Sequence, residues 1–353
     1  MQGEGAMSIR VIFSDLHFGD PLCSLRRKLV TQGLRSFLQG LGRIDEIILA
    51  GDILDANISS LTKAIEGLKG TGSWPKQIGF RTWLSYLLED GGLDVGRIVY
   101  IPGNHDYIIW NILSTDKAFV QPISQGKVPT DLPLIEATFS QPFIRGIAPQ
   151  RMRDKFEVIY PDHEFDLAGC SVLVTHGHYL DDQQALFKSL DELVQKEGGN
   201  EAKAVRKFFI GTAQYQAVAN AVSYLKGTRE FVDKAHKALS GLIDIFGKLR
   251  NQPINAKMLR AIEMYLLYFR KKRPDVFIFG HTHEPGRKST KALGHENRLI
   301  QKDIDVWNDG SFIEDKSLGR AGSFIVTNDN PESGEPIKLY ELDLKGNVKE
   351  KII

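Results

Sequence analysis

The chain has 353 residues, with 45 Lys and Arg against 44 Asp and Glu, so its formal net charge at pH 7 is +1. Hydrophobic residues at 42% and charged residues at 25% are ordinary for a globular protein and exclude disordered, collagen-like and coiled-coil classes. The balanced charge argues against a uniformly basic nucleic-acid binder. The apolar stretches are too short for a transmembrane segment, and only two cysteines are present, so we expect a cytoplasmic protein without disulfides.

Five short apolar runs are predicted to be buried strands, and each ends in a polar turn. They are Arg10–Phe13, Glu46–Ala50, Ile98–Ile101, Ser171–Val174 and Val276–Phe279. Nearly continuous hydrophobicity is typical of strands that are covered on both faces. Helical spacing of apolar residues over Leu22–Leu41 and Phe80–Glu89 lies between some of these runs. Strands that alternate with helices predict an α/β fold.

The stretch from residue 181 to residue 273 has a different pattern. Its apolar residues keep helical spacing, as in Phe231, Ala235, Leu239, Leu242 and Phe246. Strand-like runs return after it, at Ile304–Trp307, Gly322–Thr327 and Ile337–Leu342. We therefore expect one main domain, formed by residues 8–180 and 274–353, and a helical insert of residues 181–273 that acts as a cap or lid.

Histidines, carboxylates and one asparagine follow the predicted strands directly. The segments are Asp15-Leu16-His17, Gly51-Asp52, Gly103-Asn104-His105-Asp106, Thr175-His176 and Gly280-His281-Thr282-His283. Sheets of this kind place functional groups at the carboxyl ends of their strands. Imidazole and oxygen ligands without thiolate suit Mn, Fe or Zn, and there are more of them than one ion needs. Two ions about 3.5–4 Å apart with a bridging carboxylate suit displacement at phosphorus.

These segments, in this order, resemble the motifs of the calcineurin-like metallophosphoesterases. The motifs are DLH, GD, GNHD, a single His after a strand, and GHTH, and the resemblance extends from Arg10 to about Leu344 apart from the insert. It implies a four-layer αββα sandwich of two mixed β-sheets flanked by helices, with an inserted helical cap. It also implies a phosphoesterase with two divalent ions, expected to be Mn, with Fe or Zn as alternatives.

The resemblance implies a role for each motif residue. One ion would be held by Asp15, His17 and His283, and the second by Asn104, His176 and His281, while Asp52 would bridge both. His105 matches the family's histidine that is not a ligand but contacts the phosphate and helps the leaving group. A hydroxide held between the ions would attack phosphorus in line.

Other residues near the motifs have two interpretations each. Asp106 is predicted to be a catalytic residue that orients His105, with the cap of a local turn as the alternative. Asp55 could order a ligand histidine or be a simple loop carboxylate. His178 is expected either to contact substrate, to support His176, or to be a turn residue. The segment Asn308–Ser311 is predicted to be a plain turn, and shaping of the site is the alternative.

The sequence around the motifs bears on the substrate. Phosphoprotein phosphatases have an Arg soon after GD and an RGNHE box, and GDILDAN and PGNHDY lack both. THGHYLDDQQALF, in which Asp181 and Asp182 begin the insert, is similar to the UDP-2,3-diacylglucosamine pyrophosphohydrolases. That branch usually has Arg in place of His105 and Asp in place of His178. We expect a small-molecule or lipid-linked phosphate substrate, such as a nucleotide sugar.

Two other functions remain as alternatives. DNA-repair nucleases of the family share SDxHxGD and GNHD with this chain, so a nuclease is one of them. A catalytically silent metal-binding scaffold for protein interaction is the other, although no ligand residue is missing.

The predicted insert is basic. It has 17 Lys and Arg against 10 Asp and Glu, a net charge of +7, which leaves −6 for the rest of the chain. Basic residues such as Arg206 and Lys207 are predicted to bind substrate, because a cationic insert would raise the local concentration of a phosphate compound. Its apolar faces could receive an acyl chain or make peripheral membrane contact. The alternative is that these faces pack against each other and the charges are only solvated.

Overall fold

Strands form two β-sheets in the computed structural model, which describes residues 8–55, 65, 79–90, 92–129, 137–139, 146–180, 190–208, 254–294, 299–330 and 334–352. The first sheet contains β1 (Ile9–Phe13), β2 (Ile44–Leu49), β3 (Val95–Tyr100), β4 (Ala137–Phe139), β5 (Phe156–Tyr160), β11 (Arg320–Asn328), β12 (Ile337–Asp343) and β13 (Val348–Glu350). The second contains β6 (Asp162–Leu167), β7 (Cys170–Thr175), β8 (Val276–Phe279), β9 (Gly286–Ser289) and β10 (Asp305–Asn308).

Both sheets are mixed, with parallel strands at their centres. The order is β13-β12-β11-β1-β2-β3-β5-β4 in the first sheet and β6-β7-β8-β10-β9 in the second. Strands β1, β2, β3 and β5 are parallel to one another, as are β7, β8 and β10. The remaining pairs are antiparallel. The carboxyl ends of the parallel strands therefore lie at one edge of each sheet.

Helices connect and cover the sheets. They are α1 (Lys28–Gly40), α2 (Phe80–Ser85), α3 (Tyr107–Thr115), α4 (Gln121–Ser124), α5 (Leu190–Lys196) and α6 (Ala256–Met264). Turns of π-helix follow α2 at Tyr86–Asp90, join α3 to α4 at Asp116–Val120, and follow α6 at Tyr265–Arg270. Short 3-10 helices span Ser24–Arg26, Gln150–Lys155, His178–Leu180 and Thr290–Leu293. Residues 201–208 are also helical.

Three buried clusters separate four layers. Side chains from the inner faces of both sheets, such as Ile12 and Ile278, share one cluster. The outer face of the first sheet packs against α1, where Val30, Leu34 and Leu38 are buried at helical spacing. The outer face of the second sheet packs against α6. The predicted four-layer αββα sandwich is confirmed.

The predicted central strands are found within a few residues of their expected positions, but the edge strands were not predicted. Strands β4, β6, β9 and β13 form the four edges of the two sheets. Edge strands are short and often polar, and β9 (GRKS) and β13 (VKE) show this pattern. The interior strand β5 was also missed. The predicted helix Leu22–Leu41 is split, because Arg27 is extended between the 3-10 turn and α1.

Part of the predicted insert is described. Residues 181–189, including Asp181 and Asp182, and residues 209–253 lie outside the described ranges. Helix α6 lies within the predicted insert and forms the outer layer on the second sheet, where Leu259 and Ile262 pack against Phe277. The function of residues 181–273 as a cap stays a prediction. Among the helices in the described ranges, none is both long and apolar enough to cross a bilayer.

Candidate metal centre

The loops after β1 and β2 are joined by backbone hydrogen bonds. The amide of Asp15 donates to the carbonyl of Gly51 over 2.9 Å, and the amide of His17 donates to the carbonyl of Asp52 over 2.8 Å. The pairing continues at Phe18, whose amide donates to Ile53 over 2.9 Å. The parallel ladder between the two strands thus extends into the polar segments, which brings the first two motifs together.

Left-handed backbone is concentrated at the predicted ligands. Seven residues other than glycine have positive φ in the described chain, and five of them are Asp15, His17, Asp52, His281 and His283, with φ between 49° and 66°. This conformation is unfavourable for residues with a Cβ, and residues held in it cluster at active sites. The strained positions therefore coincide with the motifs.

Three ligand atoms of the first predicted set form a small triangle. Asp15 Oδ1 lies 3.1 Å from Nε2 of His283 and 3.6 Å from Nε2 of His17. The two Nε2 atoms are 3.2 Å apart. Ligands at about 2.1 Å from one ion are about 3.0 Å apart in octahedral geometry and about 3.4 Å apart in tetrahedral geometry. The triangle therefore has the dimensions of a site for one first-row divalent ion.

The second predicted set converges on Asp52. Asp52 Oδ2 lies 3.3 Å from Nε2 of His176, which in turn is 3.1 Å from Oδ1 of Asn104. Asp52, His176 and His281 offer ligand atoms that are all within 4.8 Å of one another. Asp52 Oδ2 is also 4.0 Å from Nε2 of His17, which belongs to the first set. This carboxylate lies between the two sets.

Hydrogen bonds on the far side of three candidate ligands, Asp15, Asp52 and His176, fix their orientation. Asp15 accepts the amide of His281 with Oδ2 over 2.8 Å, and Asp52 accepts the amide of His105 with Oδ1 over 2.8 Å, so one oxygen of each remains for an ion. His176 directs Nδ1 to the carbonyl of Ala50 at 3.0 Å, which leaves Nε2 as the ligand atom. Such outer bonds fix the tautomer and direction of ligating histidines.

Opposite charges stabilise one another in this buried cluster. Burial alone would raise the pKa of Asp15, but His283 and His17 hold it well below its usual value. Burial would lower the pKa of His176, but Asp52 and Asp15 raise it to about 9. Without metal ions, protonated histidines balance the negative charge of the carboxylates. Bound divalent ions would replace these protons.

The donor set fits divalent metal ions. Asp15 Oδ1 is buried without a hydrogen bond of acceptable geometry, although two imidazole nitrogens are near it. An orphaned buried carboxylate oxygen is costly unless a cation or proton binds it. Glycines also leave room for the ligands: a Cβ on Gly103 would be 2.2 Å from Oδ1 of Asp52.

Comparison with known proteins identifies the family. The family model described as calcineurin-like phosphoesterase matches residues 10–285 of the chain. The chain belongs to the calcineurin-like phosphoesterase family. As a member of this family it is a metal-dependent phosphoester hydrolase, and the two ligand clusters indicate a dinuclear site for divalent ions. No curated protein matches the chain.

Solved structures with similarity to this calcineurin-like phosphoesterase are distant. A predicted phosphoesterase from Streptococcus pneumoniae TIGR4 has 14% identity, with 98% of each chain covered and a TM-score of 0.31. A metallophosphoesterase from Sphaerobacter thermophilus has 12% identity over 96% of this chain and 88% of its own, with a TM-score of 0.36. The cold-active protein-tyrosine phosphatase of a psychrophilic Shewanella species has 15% identity over 97% and 80%, with a TM-score of 0.34.

Asp55, rather than Asp106, contacts the ring of His105 in this phosphoesterase. Asp55 Oδ1 is 3.1 Å from Nδ1 of His105, and Asp55 Oδ2 is 3.3 Å from Nδ1 of His17. The carboxylate of Asp106 accepts amides of Gly103 at 2.5 Å and Ile53 at 2.7 Å, and also bonds the Tyr100 hydroxyl. The expectation that Asp106 orients His105 is therefore corrected: its bonds cap the loop between strand β3 and helix α3. Burial and Asp52 raise the pKa of Asp106 to about 6.

His178 is buried beside His176, with ring centroids 5.4 Å apart. Its Nε2 lies 3.5 Å from the hydroxyl of Tyr160, while Nδ1 is buried without a hydrogen bond. Burial, together with His176 and His281, holds the pKa of His178 well below its usual value. The ring therefore lies beside His176, and both its support of His176 and its contact with substrate stay predictions.

The segment after β10 shapes the site. Asn308 donates from Nδ2 to the carbonyl of Gly280 over 2.7 Å and to the hydroxyl of Thr282 over 3.0 Å. Asp309 accepts the hydroxyl of Ser14 with Oδ1 over 2.7 Å. Burial and the nearby Asp15 raise the pKa of Asp309 well above its usual value. The structure therefore supports the alternative interpretation of Asn308–Ser311. The sequence shows both Ser14-Asp15 and the segment Asn308–Ser311, but it did not predict that Ser14 contacts Asp309.

Arg206 and Lys207 are exposed on the helical segment 201–208. Lys207 Nζ bonds Glu197, and Lys203 Nζ lies 2.7 Å from the same carboxylate. Within the described ranges, no contact joins Arg206 or Lys207 to the metal ligands. Their role in substrate binding stays a prediction.

Proposed function

We propose that the protein hydrolyses phosphate esters or pyrophosphates with two divalent ions, Mn²⁺ first and Fe or Zn as alternatives. The substrate is a small or lipid-linked phosphate compound in the cytoplasm. One observation supports this most: Asp52 Oδ2 lies 3.3 Å from Nε2 of His176 and 4.0 Å from Nε2 of both His17 and His105. One carboxylate oxygen thus adjoins both ligand sets and the proposed catalytic histidine.

These distances support the proposed ligand roles. Asp15, His17 and His283 would hold one ion, while Asn104, His176 and His281 would hold the other, with Asp52 between them. When bound, two such ions supply Lewis-acid stabilisation of phosphoryl oxygens and lower the pKa of water. The chain's own contribution is to hold the ligand atoms in place through the bonds of Ala50, Asp55 and the backbone amides.

His105 is proposed to act on the phosphate directly. Its Nδ1 faces Asp55 at 3.1 Å, so its Nε2 is the nitrogen that faces Asp52 at 4.0 Å. A protonated Nε2 can donate to a phosphoryl oxygen or to the leaving oxygen. In hydrolysis, the oxygen of water bonds to phosphorus, the phosphorus–oxygen bond of the ester breaks, and a proton from Nε2 reaches the leaving oxygen. The proton that the attacking water gives up leaves to solvent, and Nε2 regains a proton from solvent before the next turnover.

The part of the 181–273 insert that precedes α6 is proposed to cover this site, since α6 itself packs on the second sheet. The net charge of the whole insert, +7, attracts phosphate compounds to a main domain that is itself negative. The exposed Arg206 and Lys207 are candidate substrate contacts, and the apolar residues of the insert are candidates for contact with an acyl chain or membrane surface.

An activity screen with Mn²⁺ tests the proposal. The purified protein is given an aryl phosphate, an aryl phosphodiester, a nucleotide-sugar pyrophosphate and DNA, and metal content is measured in parallel. We expect turnover of at least one of the first three compounds, and Asp52→Ala should abolish it. Asp94→Ala changes an exposed carboxylate, and this control should keep the turnover of the unchanged protein. Turnover of DNA alone would favour the nuclease, and full metal content without any turnover would favour the silent scaffold.

A further inference from the structure

A cavity of about 350 Å³ opens beside the metal ligand His283. Its walls contain two apolar side chains, Leu22 and Ile313, and several polar ones: Glu284, Ser311, Glu314, Asp315, Lys316 and Arg320. The volume is at the small end of the range of about 300–1,000 Å³ that is typical of ligand pockets. A phosphate bound at the metal centre would therefore have its remaining part next to this cavity.

The cavity walls are tied to the metal centre by main-chain bonds. The amide of Glu314 donates to the carbonyl of Leu22 over 3.0 Å, and the amide of Ser24 donates to the carbonyl of Phe312 over 2.8 Å. The amide of Phe312 donates to the carbonyl of the ligand Asp15 over 3.0 Å. These bonds fix the two apolar walls relative to the candidate ligand Asp15, as a preformed subsite requires.

The charged groups of the cavity have partners within the chain. Arg27 binds Glu314 with two nitrogens, at 2.6 and 2.7 Å. Arg320 lies 3.5 Å from Glu284, and only 12% of its side chain is exposed. Asp315 accepts two amides and a hydroxyl from its own turn. A ligand in the cavity would meet neutralised pairs, whose outer oxygens and nitrogens can bond hydroxyl groups.

We propose that this cavity binds the alcohol part of the substrate, and that this alcohol is uncharged and of sugar or nucleoside size. The inference rests on the proposed hydrolysis of phosphate compounds at the adjacent ions. Leu22 and Ile313 offer apolar contact to the faces of a ring, and the neutralised charges offer hydrogen bonds to its hydroxyls. Phosphomonoesters of such alcohols are thus favoured over pyrophosphates.

A second phosphate would find little support in the cavity. Arg320 already lies 3.5 Å from Glu284 and 3.8 Å from Glu341. If Arg320 turned to bind a second phosphate, its ion pairs with these two carboxylates would weaken. Lys316 is the more available cation, because 73% of its side chain is exposed and Glu314 is 3.6 Å away. Because the wall charges are already paired, the described lining presents no strongly positive surface to a further phosphate.

Calorimetry with unreactive phosphonates tests the cavity separately from catalysis. The Mn²⁺-loaded protein is titrated with phosphonate isosteres of glycerol 3-phosphate, glucose 6-phosphate and adenosine 5′-monophosphate, and with the α,β-methylene analogue of adenosine 5′-diphosphate. We expect the sugar and nucleoside compounds to bind about tenfold or more tightly than the glycerol compound. The diphosphate analogue should bind no more tightly than the monophosphate isostere.

Cavity-filling variants supply the structural control. Leu22→Trp and Ile313→Trp should weaken binding of the two larger monophosphate isosteres by about tenfold and leave the glycerol isostere within about twofold. Leu29→Trp, at an exposed position of α1 outside the cavity, should change none of them. If either Trp variant unfolds, Leu22→Ala takes its place, and it should weaken the larger compounds alone.

Three outcomes would overturn the inference: equal affinity for all three monophosphate isosteres, unchanged selectivity in the variants, or tighter binding of the diphosphate analogue that is lost in Lys316→Met. Turnover of the ester substrates is measured in the same preparations. Selective binding without any turnover would leave the cavity assignment in place and contradict the proposed function, whereas turnover without selectivity would do the reverse.

Discussion

The carboxylate of Asp55 lies 3.1 Å from Nδ1 of His105 and holds that ring with Nε2 toward the metal centre. The same carboxylate is 3.3 Å from Nδ1 of the ligand His17. Burial by itself would raise the pKa of Asp55, but the charges and hydrogen bonds of His105 and His17 hold it below its usual value. One side chain thus contacts both a candidate metal ligand and the proposed catalytic histidine.

Replacing Asp55 should therefore affect metal binding and turnover at once. We expect Asp55→Asn to lower metal affinity or kcat by about 10–100-fold, because two imidazoles lose a charged acceptor. Steady-state kinetics at saturating Mn²⁺, with metal titrations, would measure both effects. Asp94→Asn, at an exposed position, serves as the control. Wild-type values for Asp55→Asn would mean that the bonds to His105 and His17 do not matter for function.

His105→Ala should lower kcat while both ions stay bound. General acid catalysis contributes about 10²–10⁴-fold, so we expect a fall in that range for alkyl esters. The fall should be smaller for 4-nitrophenyl phosphate, whose leaving oxygen needs less help from a proton. Metal analysis of the variant is essential, since loss of an ion would show that His105 is a ligand instead.

Chelation should lower the stability of the protein. Removal of the ions leaves Asp15 and Asp52 buried with only protonated histidines to balance them. Ions at about 100 times their dissociation constant stabilise a folded protein by about 3 kcal/mol, which a chelator would abolish. Thermal unfolding before and after EDTA, followed by return of Mn²⁺, measures this difference. Asp15→Asn should respond much less to EDTA, and an equal response would argue against the first ligand set.

Tyr265→Phe should destabilise the layer behind the His176 segment. The Tyr265 hydroxyl donates to Asp162 over 2.5 Å, and Arg270 Nε lies 2.9 Å from the same carboxylate. A buried carboxylate that loses one donor costs about 1–3 kcal/mol of unfolding free energy. Denaturant unfolding would measure this loss of unfolding free energy. Tyr340→Phe is the control, because Tyr340 is half-buried and the Phe ring would keep the stacking on Phe324. A loss no greater than in the control would mean that Arg270 alone satisfies Asp162.

The central strands were predictable because burial on both faces leaves a continuous apolar run. β8 is found at Val276–Phe279, where the sequence predicts it, and all four of its residues are buried. The edge strands have a partner on one side only, so their composition is less constrained. β6 (DHEFDL) therefore has no apolar run, and its pairing with β7 becomes clear only in the sheet.

Roles that depend on the direction of a side chain were harder to predict than the identity of the candidate ligands. Asp106 follows His105 directly, and this proximity favoured a bond between them. Because the chain turns into α3 at this point, the carboxylate of Asp106 instead reaches back to Gly103 and Ile53. Asp55 reaches His105 across 50 residues, because β2 and β3 are parallel neighbours and the segments after them begin at the same edge of the sheet.

The sequence by itself determined the family, the α/β class and the residues that end each central strand with a ligand group. These properties depend on local spacing and on motif order along the chain. Only the tertiary structure decided which atoms meet: His17 and His283 are 266 residues apart, yet their Nε2 atoms are 3.2 Å apart. That contact requires the packing of two sheets, because each histidine follows a strand of a different sheet. The cavity beside His283 depends on the same packing.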